Sequence, residues 1–314
     1  MNESTHAAEV LETSQLRALV AVKAYVPEDA MTAGLLGTER SGHGVRIRAD
    51  GLIITIGYLV NEADEIWVTT EDGLSSPAFV VGNDFRSGLA LIKPTITLDG
   101  PSLQLATRDE ITVGDAVVIA GSAGAEPQFV EAQVVARQEF AGRWEYLLEE
   151  AIFSAPPHPS WSGAALLNLN GQLCGIGSLV IQGFEIRGEQ RTVNMSVPIQ
   201  TIGNVIDEIC EHGRRLEAQR PWLGVLVHDE DEELTVVGVY RDCPADAAGM
   251  RPGDIVMRVG GHEIYGLGHF YRTVWSLGPA GVEVPITVLR NSTRHELVLK
   301  SVERSAHMRK GTLQ

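Results

Sequence analysis

The feature that most constrains this chain is a succession of short β-rich segments from Leu16 to about Val197, with almost no helical pattern between them. "LRALVAVKAY", "HGVRIRADGLIIT", "DEIWVTT", "GLALIK", "DAVVIAG" and "VEAQVVARQEF" are β-branched or alternate apolar with polar residues, and Gly, Asn and Asp punctuate them. Asp50-Gly51 and Asn170-Gly171 are hairpin signals, because both dipeptides accept the positive φ that tight turns need. Strands this short and this regularly spaced imply closed or sandwiched antiparallel sheets.

The pattern then changes. "PIQTIGNVIDEICEHG" predicts a helix: Ile199, Ile202, Val205, Ile206 and Ile209 share one face, Pro198 suits its first turn and Gly213 its end. A polar linker, 214–220, leads into a second unit at 221–303, with strands at "WLGVLV", "LTVVGVY", "IVMRVGG", "VPITVLR" and "HELVLKS" and a helix at "FYRTVWSLG". Residues 1–15 and 304–314 read as flexible ends, and 16–213 as one β domain.

Composition narrows the function. A chain of 314 residues has room for about two domains. Its net charge of −16 repels nucleic acid and anionic membrane surfaces, and the basic runs at 213–220 and 307–311 read as solvated segments. The first residues lack a basic region leading into an apolar stretch, and no apolar run approaches a membrane span. Cys174, Cys210 and Cys243 have neither CxxC spacing nor an even count, so neither a disulfide framework nor a zinc site is expected. Together these features give a cytoplasmic expectation, with no metal and no cofactor. Ser162 sits in "SWSGA", outside the G-x-S-x-G elbow, and "GSAGAEP" (121–127) lacks the Lys of a phosphate loop and reads as a turn.

"CPADAAGMRPGDIVMRVGGHEI" (243–264) resembles the middle of a PDZ domain, and "RPWLGVLV" (220–227) its carboxylate-binding loop and first peptide-pairing strand. Consecutive backbone N–H groups in a Gly-containing turn suit a terminal carboxylate, and the adjacent strand edge suits an extended peptide. Trp222, Leu223, Gly224 and Val225 are the candidate peptide-binding residues. The preceding segments "GHGVRIRADGLIITIGYLV", "VVGNDFRSGLALIKP", "HPSWSGAALLNLNGQLCGIGS" and "NMSVPIQTIGNVIDEI" then resemble, in order, the HtrA (DegP-like) protease domain. That resemblance covers roughly 16–303 and implies a trypsin-like pair of six-stranded β-barrels followed by an α+β PDZ domain. It also implies a homo-oligomer. Family trimers often use aromatics near the start of the protease domain, where this chain offers only Tyr25.

The resemblance places the family's catalytic histidine at Tyr58, its aspartate at Gly88 and its nucleophile at Ser162. A serine hydroxyl needs a base to take its proton and a carboxylate to orient that base. Only Ser162 matches, and the Gly-Asn that precedes the serine in the family is Ser160-Trp161 here. Tyr58, with an ordinary pKa near 10, is a weak acceptor at neutral pH, and His158 lies at a substrate-pocket position. The expectation is a chain that is not an enzyme and binds protein C-termini or extended peptides as an adaptor. The alternatives are an endopeptidase with residual activity through Ser162, and a structural subunit that assembles with an active paralogue.

Overall fold

The computed structural model describes residues 13–107, 111–122, 127–230 and 233–309. Three sequence expectations lie partly outside the described residues: the flexible start at 1–12, the turn at 123–126 and the tail at 310–314.

Contacts divide the chain into two compact units. The first contains the chain up to Gln138 and Glu150–Arg215; the second contains Glu139–Glu149 and Leu216–Arg309. Within the first unit, β1 (Leu19–Tyr25), β2 (Glu39–Arg46), β3 (Ile53–Ile56), β4 (Glu65–Thr69), β5 (Ser75–Asp84) and β6 (Leu89–Pro94) close into a barrel, in the order β1-β2-β3-β6-β5-β4. Closure comes from β1, which pairs antiparallel with β2 (Leu19 opposite Val45) and with β4 (Ala21 opposite Thr69). Leu19, Val20, Val22 and Ala24 of β1 are buried, as are Ile53, Ile54, Leu91 and Ile92, so strands of this barrel are covered on both faces.

A second closed barrel follows, ordered β10-β11-β12-β9-β8-β7. Its strands are β7 (Ala116–Ser122), β8 (Pro127–Gly142), β9 (Tyr146–Ala155), β10 (Ala165–Leu167), β11 (Leu173–Ile186) and β12 (Glu189–Pro198). The core around Val117, Ile119, Val134, Ile152, Leu166 and Cys174 is apolar and buried. Mostly β architecture with a double six-stranded barrel is what the strand pattern and the family resemblance imply.

The helices of this unit are brief: α1 (Thr13–Leu16), α2 (Ala33–Leu36), α3 (Gly57–Val60), α4 (Gln200–Gly203) and α5 (Ile206–His212). The single helix expected at 198–213 is thus two, because the chain leaves helical geometry at Val205 (φ −122°, ψ 7°). Gly213 ends α5 in the left-handed conformation, as its sequence position implies. The run after it is not simply solvated. Arg215 is bound to the buried Asp84, its Nη2 2.6 Å from Oδ2, and Arg220 lies 3.9 Å over the Trp275 ring.

In the second unit β13 (Val225–Glu230), β14 (Glu233–Val239), β15 (Ile255–Val259), β17 (Glu283–Arg290) and β18 (Thr293–Lys300) form one antiparallel sheet, and β16 (His262–Glu263) pairs with β15. A short helix, α6 (Pro244–Ala247), follows β14. The longer α7 (Gly266–Ser276) buries Leu267, Phe270, Tyr271 and Val274 along one face. Residues 304–306 form a 3₁₀ turn, and His307 packs edge-on against Trp222, so this part of the expected tail is ordered.

Candidate functional site

Three turns bring Tyr58, Gly88 and Ser162 together. Tyr58 lies in α3, at the end of β3, and its carbonyl accepts a 2.7 Å bond from Arg40 Nη1. The Gly57 N–H donates to the Gly88 carbonyl at 2.7 Å, which ties the Tyr58 turn to the Gly88 turn. Gly88 has φ +77°, a conformation that side-chain-bearing residues adopt only under strain. The Ser162 turn is held against β2 by the His43 N–H, which donates to the Ser162 carbonyl at 2.8 Å.

At the centre, the Ser162 hydroxyl donates to the Tyr58 phenol oxygen at 2.8 Å, and the phenol donates to the Ser178 carbonyl at 2.7 Å. The hydroxyl that would be the nucleophile therefore points its proton at residue 58, as it would toward a base. Burial pushes the Tyr58 phenol up to about 12, against the opposing hydrogen bonds from Ser162 and Trp161. The relay ends at a carbonyl, which does not take a proton from the phenol, so only the phenolate can act as the base.

Position 88 supplies no side chain, and the carboxylate nearest to it in sequence is committed elsewhere. Asp84, 2% exposed, receives Arg215 through both oxygens and the Arg86 N–H as well. His158 does not reach the nucleophile as a base: its Nδ1 accepts the Ser160 N–H at 3.0 Å and its Nε2 faces the Gln128 carbonyl at 3.3 Å. The N–H of residue 160 is one of the two donors that stabilise an oxyanion in this fold. The His158 ring holds it. Burial lowers the pKa of His158, which keeps Nδ1 an acceptor.

Sequence reasoning missed His43 and Arg215. The buried His43 ring accepts the Ser122 N–H at Nδ1 (3.1 Å) and donates from Nε2 to the Ser160 carbonyl (3.0 Å), bracing the Ser162 loop from β2. "SGHG" carries no local signal for that role, and Arg215 sits in a run whose composition is that of a linker.

The second unit holds a different kind of site. The N–H groups of Leu223, Gly224 and Val225 converge on one carboxylate, that of Glu145 in the same unit. The distances are 2.9 Å from Leu223 to Oε2, and 2.7 and 3.1 Å from Gly224 and Val225 to Oε1. Convergence requires Gly224 at φ +80°, and a Cβ there would lie 2.4 Å from Cys243 Sγ. The carbonyls point away, Leu223 to the Ala245 N–H and Gly224 to the Tyr240 N–H. Trp222 stands apart: its N–H donates to Val302, and its buried ring packs on Tyr240 and His307.

Residues 42–176 match the family model of the trypsin-like peptidase domain, and residues 221–300 that of the PDZ domain. A "Probable periplasmic serine endoprotease DegP-like" of Hahella chejuensis is 30% identical over 238 residues, 72% of this chain and 49% of that protein. A protein of the same description from Pseudomonas fulva is 27% identical, over 87% of this chain and 58% of its own length. The chain thus spans about half the length of the curated relatives it matches. The solved HtrA-type protease AlgW with tripeptide is 25% identical with a TM-score of 0.55, covering 94% of this chain and 96% of that one.

The chain has the build of the HtrA/DegP-type proteases, a trypsin-like peptidase domain followed by a PDZ domain. Two expectations are corrected by these relatives. That the chain is not an enzyme rested on Tyr58 and Gly88, but the relatives are named serine endoproteases, and the Ser162 hydroxyl retains a bonded oxygen partner. The cytoplasmic expectation rested on unpaired thiols and the composition of the first residues, whereas the relatives are named periplasmic.

Proposed function

We propose that the chain is a periplasmic HtrA-like protein that recognises polypeptide ends through the loop at 222–225 and acts on peptide bonds slowly, as a serine endopeptidase, through Ser162. The observation that carries this reading is the 2.8 Å bond in which the Ser162 hydroxyl donates to Tyr58. In the mechanism, the Tyr58 phenolate takes the hydroxyl proton as Ser162 Oγ attacks the carbonyl carbon, and the phenol then returns the proton to the leaving amine. With the phenol pushed up to about 12, only about one molecule in 10⁵ carries the phenolate at pH 7, so turnover is slow and rises with pH.

The test is labelling of the full chain with a fluorophosphonate probe at pH 9–10, with mass mapping of the adduct and parallel casein hydrolysis. Adduct on Ser162, lost together with hydrolysis in Ser162→Ala, is the expected result. No Ser162-dependent label and no hydrolysis at any pH up to 10 overturns the reading.

A further inference from the structure

The carboxylate that fills the loop at 223–225 comes from the tip of the β8–β9 hairpin, a turn that reaches both this loop and strand β13. Two residues before Glu145, the Arg143 carbonyl accepts the Val227 N–H of β13 at 3.0 Å. A chain end bound to a PDZ groove uses the same combination, a carboxylate on the loop and main-chain pairing with the adjacent strand. Glu145 supplies the carboxylate from its side chain, and holds φ +59° to do so. Few residues other than glycine and asparagine adopt that conformation without cost, so the turn is shaped to the loop.

The helix that forms the other wall also grips the tip. The buried Tyr271 hydroxyl donates to the Gly142 carbonyl at 2.7 Å and accepts the Glu145 N–H at 3.1 Å. Arg272, on the next position of α7, pairs with Glu139. Trp144 and Tyr146 stack at 5.8 Å beside the buried Glu145 and give the turn an aromatic base.

We propose that the hairpin tip, residues 142–146, is an internal ligand of the peptide groove, and that extended peptides with a free C-terminal carboxylate bind only by displacing Glu145 from the amides of Leu223, Gly224 and Val225. The inference rests on reading 222–225 as a carboxylate loop. It adds that the resting groove is closed by the protein's own acidic side chain. Each external carboxylate gains amide bonds that the internal one gives up, so net affinity is the difference between the two ligands. Burial raises the Glu145 carboxyl to about 7, against the opposing hydrogen bonds from the three amides.

The experiment passes the full-length protein over immobilised decapeptides with free α-carboxylates and randomised last four residues, beside the same pool amidated. The protein and Glu145→Ala are compared for retention, and hydrogen exchange of residues 223–225 is followed. Glu145→Ala is expected to be retained at least tenfold more on the free-acid pool and not on the amidated pool, with faster exchange at 223–225 in the absence of peptide. Equal retention of both proteins on free acids leaves the carboxylate loop standing and overturns the internal ligand. Retention of neither protein, or equal retention on amidated peptides, overturns the carboxylate loop and the internal ligand with it. Should Glu145→Ala fail to fold, Tyr271→Phe removes two bonds to the tip and keeps the carboxylate. About threefold greater retention is then expected, and unchanged retention overturns the proposal.

Discussion

On the proposed function the Ser162 cleft and the groove at 223–225 both meet a polypeptide, yet one depends on side chains and the other on backbone. In the cleft, a phenol at position 58 and a glycine at position 88 alter the base and its orienting partner, and only the fold keeps Ser162 and Tyr58 within 2.8 Å. In the groove, three main-chain N–H groups hold the Glu145 carboxylate, and side-chain substitutions other than proline leave those groups in place while Gly224 keeps the turn. Side-chain chemistry is lost one codon at a time. Backbone chemistry persists as long as the turn does, so the protein controls it by filling it.

The sharpest way to break the cleft is at Asp84. Arg215→Ala leaves this buried carboxylate without its ion pair and is expected to cost about 3–5 kcal/mol in urea unfolding, with part recovered in Asp84→Asn/Arg215→Ala. Next in size, Gly224→Ala breaks the groove: the φ of +80° and the overlap with Cys243 are expected to cost about 3 kcal/mol and to abolish retention on free-acid peptides.

The third effect is one of pH. Glu145 is raised by burial from 4.5 to about 7, with Tyr271 of α7, Cys243 before α6 and Arg304 of the 3₁₀ turn as its ionisable neighbours. A raised folded-state value means that stability is fully present below pH 4.5 and is lost as pH rises through 7. Stability is therefore expected to fall by roughly 2–3 kcal/mol across that window, and Glu145→Gln to flatten the slope. The smallest effect returns to the cleft: His158→Ala frees the Ser160 N–H for an oxyanion and is expected to raise probe labelling about tenfold.

Much of this was legible in the sequence, for physical reasons. Strands announce themselves by a period of two and by their turns, so both barrels followed from local pattern and from motifs in order. Gly224 was legible too, because "WLGV" places a glycine where a carboxylate loop needs one. Glu145 was not: it stands in "WEYLLEE", which reads as a strand, and its partners lie 78–80 residues further on. The break between α4 and α5 was hidden because the isoleucine spacing persists across it while the backbone does not. Arg215 was hidden for the opposite reason. Its neighbours are those of a solvated linker, and only Asp84, 131 residues away in sequence, makes it a buried ion-pair partner.

The most direct measurement is the pH profile of fluorophosphonate labelling at Ser162 between pH 7 and 11, in the protein and in Tyr58→Phe. If the phenolate is the base, the rate climbs about tenfold per pH unit toward the Tyr58 value near 12 and this rise disappears in Tyr58→Phe. A flat profile, or a Tyr58→Phe variant that labels at the unmodified rate, contradicts the role given to Tyr58.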